Sequence, residues 1–185
     1  MTTKPKTNYT TTPGVINPKD LFQTPAYALD PLLPYLERFS VIRESACGEG
    51  YLVRALQAAG KTVVAHDLQS GTNRFDTPTP LGQCEVTNVP FGLKYRWIEQ
   101  ALRDGQPFAL LMPSDVLFAG AKFQPLLIKH GLQLLVPNRR INFKTPLRGW
   151  EGSAAQMHCS WVTWQLCLPE RVTFCEITPR KELPL

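Results

Sequence analysis

Between residues 40 and 67 the sequence changes its apolar period twice, and this stretch limits the fold more than any other. Residues 40–43 are a short β-type run, residues 51–59 carry Leu52, Ala55, Leu56 and Ala59 at helical spacing, and residues 62–65 are a second β-type run. Residues 44–50, ESACGEG, stand before the helix and Gly60 stops it. A strand, a glycine-bearing turn and a helix let backbone approach a nucleotide-like ligand without side-chain obstruction. The second run ends in His66-Asp67-Leu68, which puts an acid where nucleotide-binding α/β folds place the acceptor for ribose hydroxyls. Glycine alone is weak evidence, because any tight strand-to-helix turn favours it. Turn and acid together favour a ligand over plain turn chemistry.

The rest of the chain keeps the same alternation. Residues 1–19, rich in Thr, Lys and Pro, are expected to be a flexible arm, and residues 179–185 a tail; one domain is expected over 20–178. Thr24 suits a helix cap with Pro25 at the first helical position, and Pro31 and Pro34 divide the next stretch into short helical pieces ending near Phe39. Residues 69–82 read as a loop in which Phe75 and Asp76 either cover and bond a base or anchor the loop. Strands are expected at 83–87, 108–112 and 132–136, with helices at 94–102 and 115–130. Two further β-rich runs, 159–168 and 171–177, flank Pro169-Glu170 and predict a hairpin. The fold class is therefore α/β, a mostly parallel sheet with helices on both faces and a C-terminal antiparallel edge.

Composition narrows the function classes. With 185 residues, 43% hydrophobic and 19% charged, the chain is long enough for one real core. No apolar run reaches membrane-span length, and the N-terminus lacks a secretory apolar block, so an intracellular, cytoplasmic protein is expected. Five cysteines without a CxxC pair and three histidines off ligand spacing predict reduced, mostly buried thiols and no metal site. The net charge of +5 fits an anionic partner weakly. Arg139, Arg140, Lys144 and Arg148 sharpen it: the basic loop 138–156 is either a surface that meets phosphates or a solvated loop.

The stretch 87–91, TNVPF, comes after a strand and precedes a helix. An amide, carbonyl acceptors and an aromatic ring suit the edge of a planar, amino-bearing substrate; the same residues also suit a turn with Asn as cap and Phe as core filler. With these pieces together, residues 20–165 resemble a class I S-adenosylmethionine-dependent methyltransferase of the amino-methylating kind. The likeness is to the small adenine-N6 DNA methyltransferases of phages and bacteria. Residues 20–25, DLFQTP, resemble the N-terminal cofactor segment of that family, and 44–50 its Glu-Pro-x-x-Gly-x-Gly loop. Asp67 matches its ribose-binding acid and Asn88-Val89-Pro90-Phe91 its Asn-Pro-Pro-Phe/Tyr tetrapeptide. Residues 139–143, RRINF, and 161–164, WVTW, are similar to its late segments, with less specificity. Two positions depart: Ser45 stands for the usual Pro, and Val89 for the first Pro of the tetrapeptide.

The resemblance implies a Rossmann-like fold and S-adenosylmethionine held by Phe22, Gln23, Thr24, Pro25, Glu44, Ala46, Gly48, Gly50, Asp67, Leu68, Phe75, Asp76 and Asn88. It implies catalysis by Asn88, Val89, Pro90 and Phe91, with adenine of nucleic acid as acceptor and DNA ahead of RNA. The chemistry fits the residue types. An exocyclic amine whose lone pair is delocalised becomes nucleophilic when the Asn88 oxygen and the Val89 carbonyl accept its two N–H bonds. Pro90 holds the turn, Phe91 stacks on the purine, and a target inside a duplex must be flipped out. Two other readings stand beside this one: a catalytically silent cofactor- or partner-binding module, suggested by Ser45 and Val89, and a methylase of protein glutamine amides. Target sequence and oligomeric state are carried by no motif in the chain.

Overall fold

The computed structural model describes residues 21–76, 82–144 and 157–179. Short β-type runs become strands β1 (Val41–Glu44), β2 (Thr62–Ala65), β3 (Cys84–Asn88), β4 (Phe108–Pro113), β5 (Gln133–Pro137), β6 (Cys159–Trp164) and β7 (Val172–Cys175). They form one sheet in the order β2-β1-β3-β4-β6-β5-β7. Strand β6 runs antiparallel to both β4 and β5, and the other pairs are parallel. Helices α1 (Tyr51–Ala58), α2 (Lys94–Asp104) and α3 (Gly120–His130) complete the expected α/β architecture.

Strand β4 shows why the sheet is covered on both sides, since all six of its residues are buried. Ala109 and Leu111 join a core with Leu52 and Leu56 of α1 and with Leu32 and Leu36 of the N-terminal segment. Phe108, Leu110 and Met112 join a second core with Trp97 and Ile98 of α2 and Phe123 of α3. Each buried Leu, Ile, Met or Phe among them contributes about 1.5–3 kcal/mol by leaving water. The sheet is therefore a fixed platform for whatever its strand ends carry.

Four expectations are corrected. Thr24 makes no helix cap: Pro25 flanks a single 3-10 turn, Ala26–Ala28, and no side chain caps it. The next piece, Asp30–Leu36, is also 3-10 and contains Pro34, which has no N–H to give a helical ladder. Residues 115–130 are not one helix. A 3-10 segment, Ser114–Phe118, ends where Ala119 leaves the helical region at φ −85°, ψ 57°, and α3 starts afresh at Gly120.

The hairpin is also absent. The antiparallel component does stand on the C-terminal side of the sheet, but β6 is held between β4 and β5 while β7 joins the far side of β5 in parallel. Gln133 explains the crossing. Its side-chain amide bonds the carbonyl and N–H of Leu168 and the carbonyl of Glu170, drawing the connection across the start of β5. The fourth correction concerns the thiols. All five cysteines are free, but only Cys84 and Cys159 are buried and Cys167 is exposed.

Candidate functional site

Strands β1 to β5 are mutually parallel in direction, so their C-terminal ends share one edge of the sheet, and the candidate residues gather there. The turn after β1 needs its glycines: Gly48 and Gly50 have φ of +48° and +76°, a region that a side chain makes costly. At Gly48 an added Cβ would lie 2.5 Å from the Gln23 amide nitrogen. Gln23 therefore lies across the turn, and its Oε1 accepts the Glu49 N–H at 3.1 Å.

The five backbone amides from Ala46 to Gly50 are all used internally. Ala46 donates to Glu44 Oε1, Cys47 to the His66 carbonyl, Gly48 to Asp67 Oδ2, Glu49 to Gln23 and Gly50 to the Cys47 carbonyl. These five amides thus already have partners within the protein. What the turn offers is glycine backbone surface and acceptors. Asp67 joins the two strand ends, because its other oxygen accepts the Gln69 N–H at 2.7 Å. Each carboxylate oxygen keeps a lone pair for a hydroxyl donor. Leu68 opens the short 3-10 turn after β2, and Ala46 packs half-buried against the α2 side of the core. Glu44 is fully enclosed, and burial pushes its carboxyl up to about 8, opposed by the Ala46 N–H.

The end of β3 carries the other half of the site. Asn88 Nδ2 donates to the Phe22 carbonyl at 3.0 Å, which an amide oxygen cannot do, so the orientation of the amide is set. Asn88 Oδ1 is then buried with no hydrogen-bond partner. Val89 donates its N–H to the Leu111 carbonyl at 3.1 Å, and the Pro90 carbonyl accepts from Leu93 at 2.9 Å to close the turn into α2. Residues 22 and 23 thus touch both turns: Phe22 holds Asn88 and Gln23 covers the glycines.

Phe91 is 4% exposed. Phe22 stacks on it with centroids 5.3 Å apart and planes 18° from parallel, while Phe143 meets it edge-on at 6.2 Å. A ligand ring that is to stack on that face of Phe91 must displace Phe22. Phe143 is a site residue to which sequence reasoning gives no role, although it closes the segment 139–143. Beyond Phe91 opens a cleft of about 590 Å³ between the ends of β3 and β4 and the start of β6, with Phe118 at its lip.

The remaining candidates fall elsewhere. Phe75 lies edge-on to Trp97 of α2 with the Arg96 guanidinium over its face, which is the loop-anchor alternative. Asp76 accepts from Asn73 within its own turn. Thr24 and Pro25 are buried beside the bridge that pairs Gln23 with Lys144. Lys144 is bound to that bridge, its ammonium 4.8 Å from the centre of the Tyr51 ring. Arg139 and Arg140 are exposed just beyond β5, at the same edge of the sheet as the ends of β1 to β4. Arg148 lies outside the described residues. Among the described residues no cluster suits a metal ion, and no helix is long and apolar enough to cross a membrane.

No family model and no curated protein matches the chain. Solved structures do match. The methyltransferase subunit of a type I restriction-modification system from Streptococcus thermophilus aligns with a TM-score of 0.53 at 15% identity, over 84% of this chain. A modification subunit of a putative type I restriction enzyme from Vibrio vulnificus YJ016 aligns at 0.50 and 13%, over 77%. The chain spans about half the length of these neighbours, 47% and 44%. Strand order, the covered sheet and these alignments agree: the chain has the Rossmann-like fold of class I methyltransferases.

Proposed function

We propose that the chain transfers methyl from S-adenosylmethionine to the exocyclic amino group of adenine in nucleic acid, with DNA ahead of RNA. The observation that carries this is Asn88 Oδ1, an acceptor buried without a partner at the end of β3. An unmet buried acceptor costs about 1–3 kcal/mol. An incoming N–H donor would restore that, and an amino group supplies it. As the amine gives its hydrogens to Asn88 and to the Val89 carbonyl, its lone pair leaves conjugation and turns toward the methyl donor. That one structural neighbour is the methyltransferase subunit of a restriction-modification system and another a modification subunit of a putative restriction enzyme agrees with this reading.

The turn after β1 supports the choice of cofactor. Phosphate sites present free backbone N–H groups, and here those groups are consumed by Glu44, His66, Asp67, Gln23 and Cys47. A turn that offers carboxylates and glycine surface fits a nucleoside that carries positive charge and no phosphate. S-adenosylmethionine answers that description and supplies a methyl group on a cationic sulfur. In this assignment Asp67 accepts from the ribose hydroxyls, Gly48 and Gly50 leave room for the nucleoside, and the segment 22–25 closes one side.

The test is transfer of labelled methyl to DNA, RNA and host-cell protein by wild type and Asn88→Ala. Wild type is expected to label the adenine amino group. The variant is expected to keep cofactor affinity and to lose on the order of a hundredfold in rate, because the contact strengthens as the nitrogen pyramidalises. Equal rates would reduce Asn88 to a turn residue; labelling of protein alone would overturn the nucleic-acid acceptor.

A further inference from the structure

We propose that the cleft beside Phe91 holds the nucleobase that flanks the acceptor, stacked on Phe118; the assignment rests on the nucleic-acid reading above. Phe118 is 85% exposed on the 3-10 segment between β4 and α3. A single exposed aromatic is ordinary on a protein surface. This one lines a cleft of about 590 Å³ together with Phe91, which follows Asn88 by three residues in the turn out of β3. A strand that delivers one base to Asn88 has its next base within this cleft.

The polar lining selects a base and not a phosphate. Lys94 Nζ bonds Asp115 Oδ1 at 2.7 Å, so the cation is already neutralised and a carboxylate stands where a phosphate would be repelled. An ammonium donor beside a carboxylate acceptor, with the Ser114 hydroxyl nearby, complements a nucleobase edge, on which donors and acceptors alternate. Every base has a π-face, so stacking on Phe118 tolerates any sequence at that position. The sheet end thus provides two seats, one at Asn88 for the reacting base and one at Phe118 for its neighbour.

The experiment uses short single strands, as DNA and as RNA, with one adenine flanked by the fluorescent base 2-aminopurine, and matched strands with an abasic site there. Wild type should quench the 2-aminopurine on binding and bind the abasic strand about 5- to 150-fold more weakly. Phe118→Ala should lose the quench and a similar factor of affinity, with an unchanged melting temperature because the side chain is exposed. Asn88→Ala should keep the 2-aminopurine quench while its methyl transfer falls. Binding and methylation by wild type with no effect of Phe118→Ala or of the abasic site would overturn the second seat and leave the first. If wild type bound neither DNA nor RNA, both would fall.

Discussion

Replacing Glu44 by Gln should change how stability depends on pH more than any other single substitution in the site. Glu44 is 1% exposed, and burial holds its carboxyl near 8 against an ordinary 4.5. Between those values the folded chain keeps a proton that the unfolded chain has released. Stability therefore falls as pH rises across this window and levels off above it. The slope is at most about 1.4 kcal/mol per pH unit, and the window of about 3.5 units gives an upper limit near 5 kcal/mol. For a domain whose total stability is typically about 5–15 kcal/mol, that is a large share. The glutamine amide keeps an oxygen for the Ala46 N–H, which Glu44 accepts at 3.1 Å in the wild type, and it does not titrate. Urea midpoints of the ligand-free proteins from about pH 5 to about pH 9, at matched m-values, isolate the group. Wild type should weaken progressively relative to Glu44→Gln and the gap should close toward acid. A gap that stays constant with pH would refute the assignment of a protonated Glu44.

Asp67→Ala should weaken S-adenosylmethionine binding by about 1–3 kcal/mol in calorimetry, since a ribose hydroxyl loses its acceptor and the Gly48 amide loses its partner; unchanged affinity would remove Asp67 from the cofactor site. Neutralising Arg139 and Arg140 together should lower the slope of log affinity for nucleic acid against log salt by about 1.4–1.8. A slope equal to that of wild type would leave them a solvated loop.

Elements set by local period were legible. Strand β2 runs Thr62–Ala65 as its β-type pattern predicts, and α2 begins at Lys94 where expected. Strand order was not, because β6 lies between β4 and β5 and the loop that leads on to β7 is held by Gln133, more than thirty residues away in sequence. The break at Ala119 is a backbone event with no glycine or proline at the residue itself. Within the candidate site, Asn88, Asp67 and the glycines are expected from their place after strands, and the structure brings them to one edge of the sheet. The roles of Gln23, Phe22 and Phe143 were not legible, since each depends on contacts between segments distant in sequence. Lys144 belongs to a basic run in the sequence, which gives no sign that its backbone pairs with Gln23.

The two departures from the family pattern bear on whether the site is kept or abandoned. Ser45, in place of proline, donates its hydroxyl to Glu85, a buried carboxylate that also takes two bonds from Arg74 and one from the Trp97 indole. Arg74 reaches Asp104 as well, and Arg43 is buried opposite Glu85 on β1, so two cations and two anions offset each other beneath the turn. Removing one member of such a group is costly, which ties Ser45 to the stability of the turn it begins. Val89 does for β3 what proline is unable to do: its N–H extends the ladder to Leu111 one residue beyond Asn88. Asn88 is thereby held by the ladder on its backbone and by Phe22 on its amide, and the oxygen between them is left bare. An unpaired buried acceptor costs about 1–3 kcal/mol. Under the proposed methyl transfer an amine N–H would pair with that oxygen and offset the cost, which a silent binding module would leave in place.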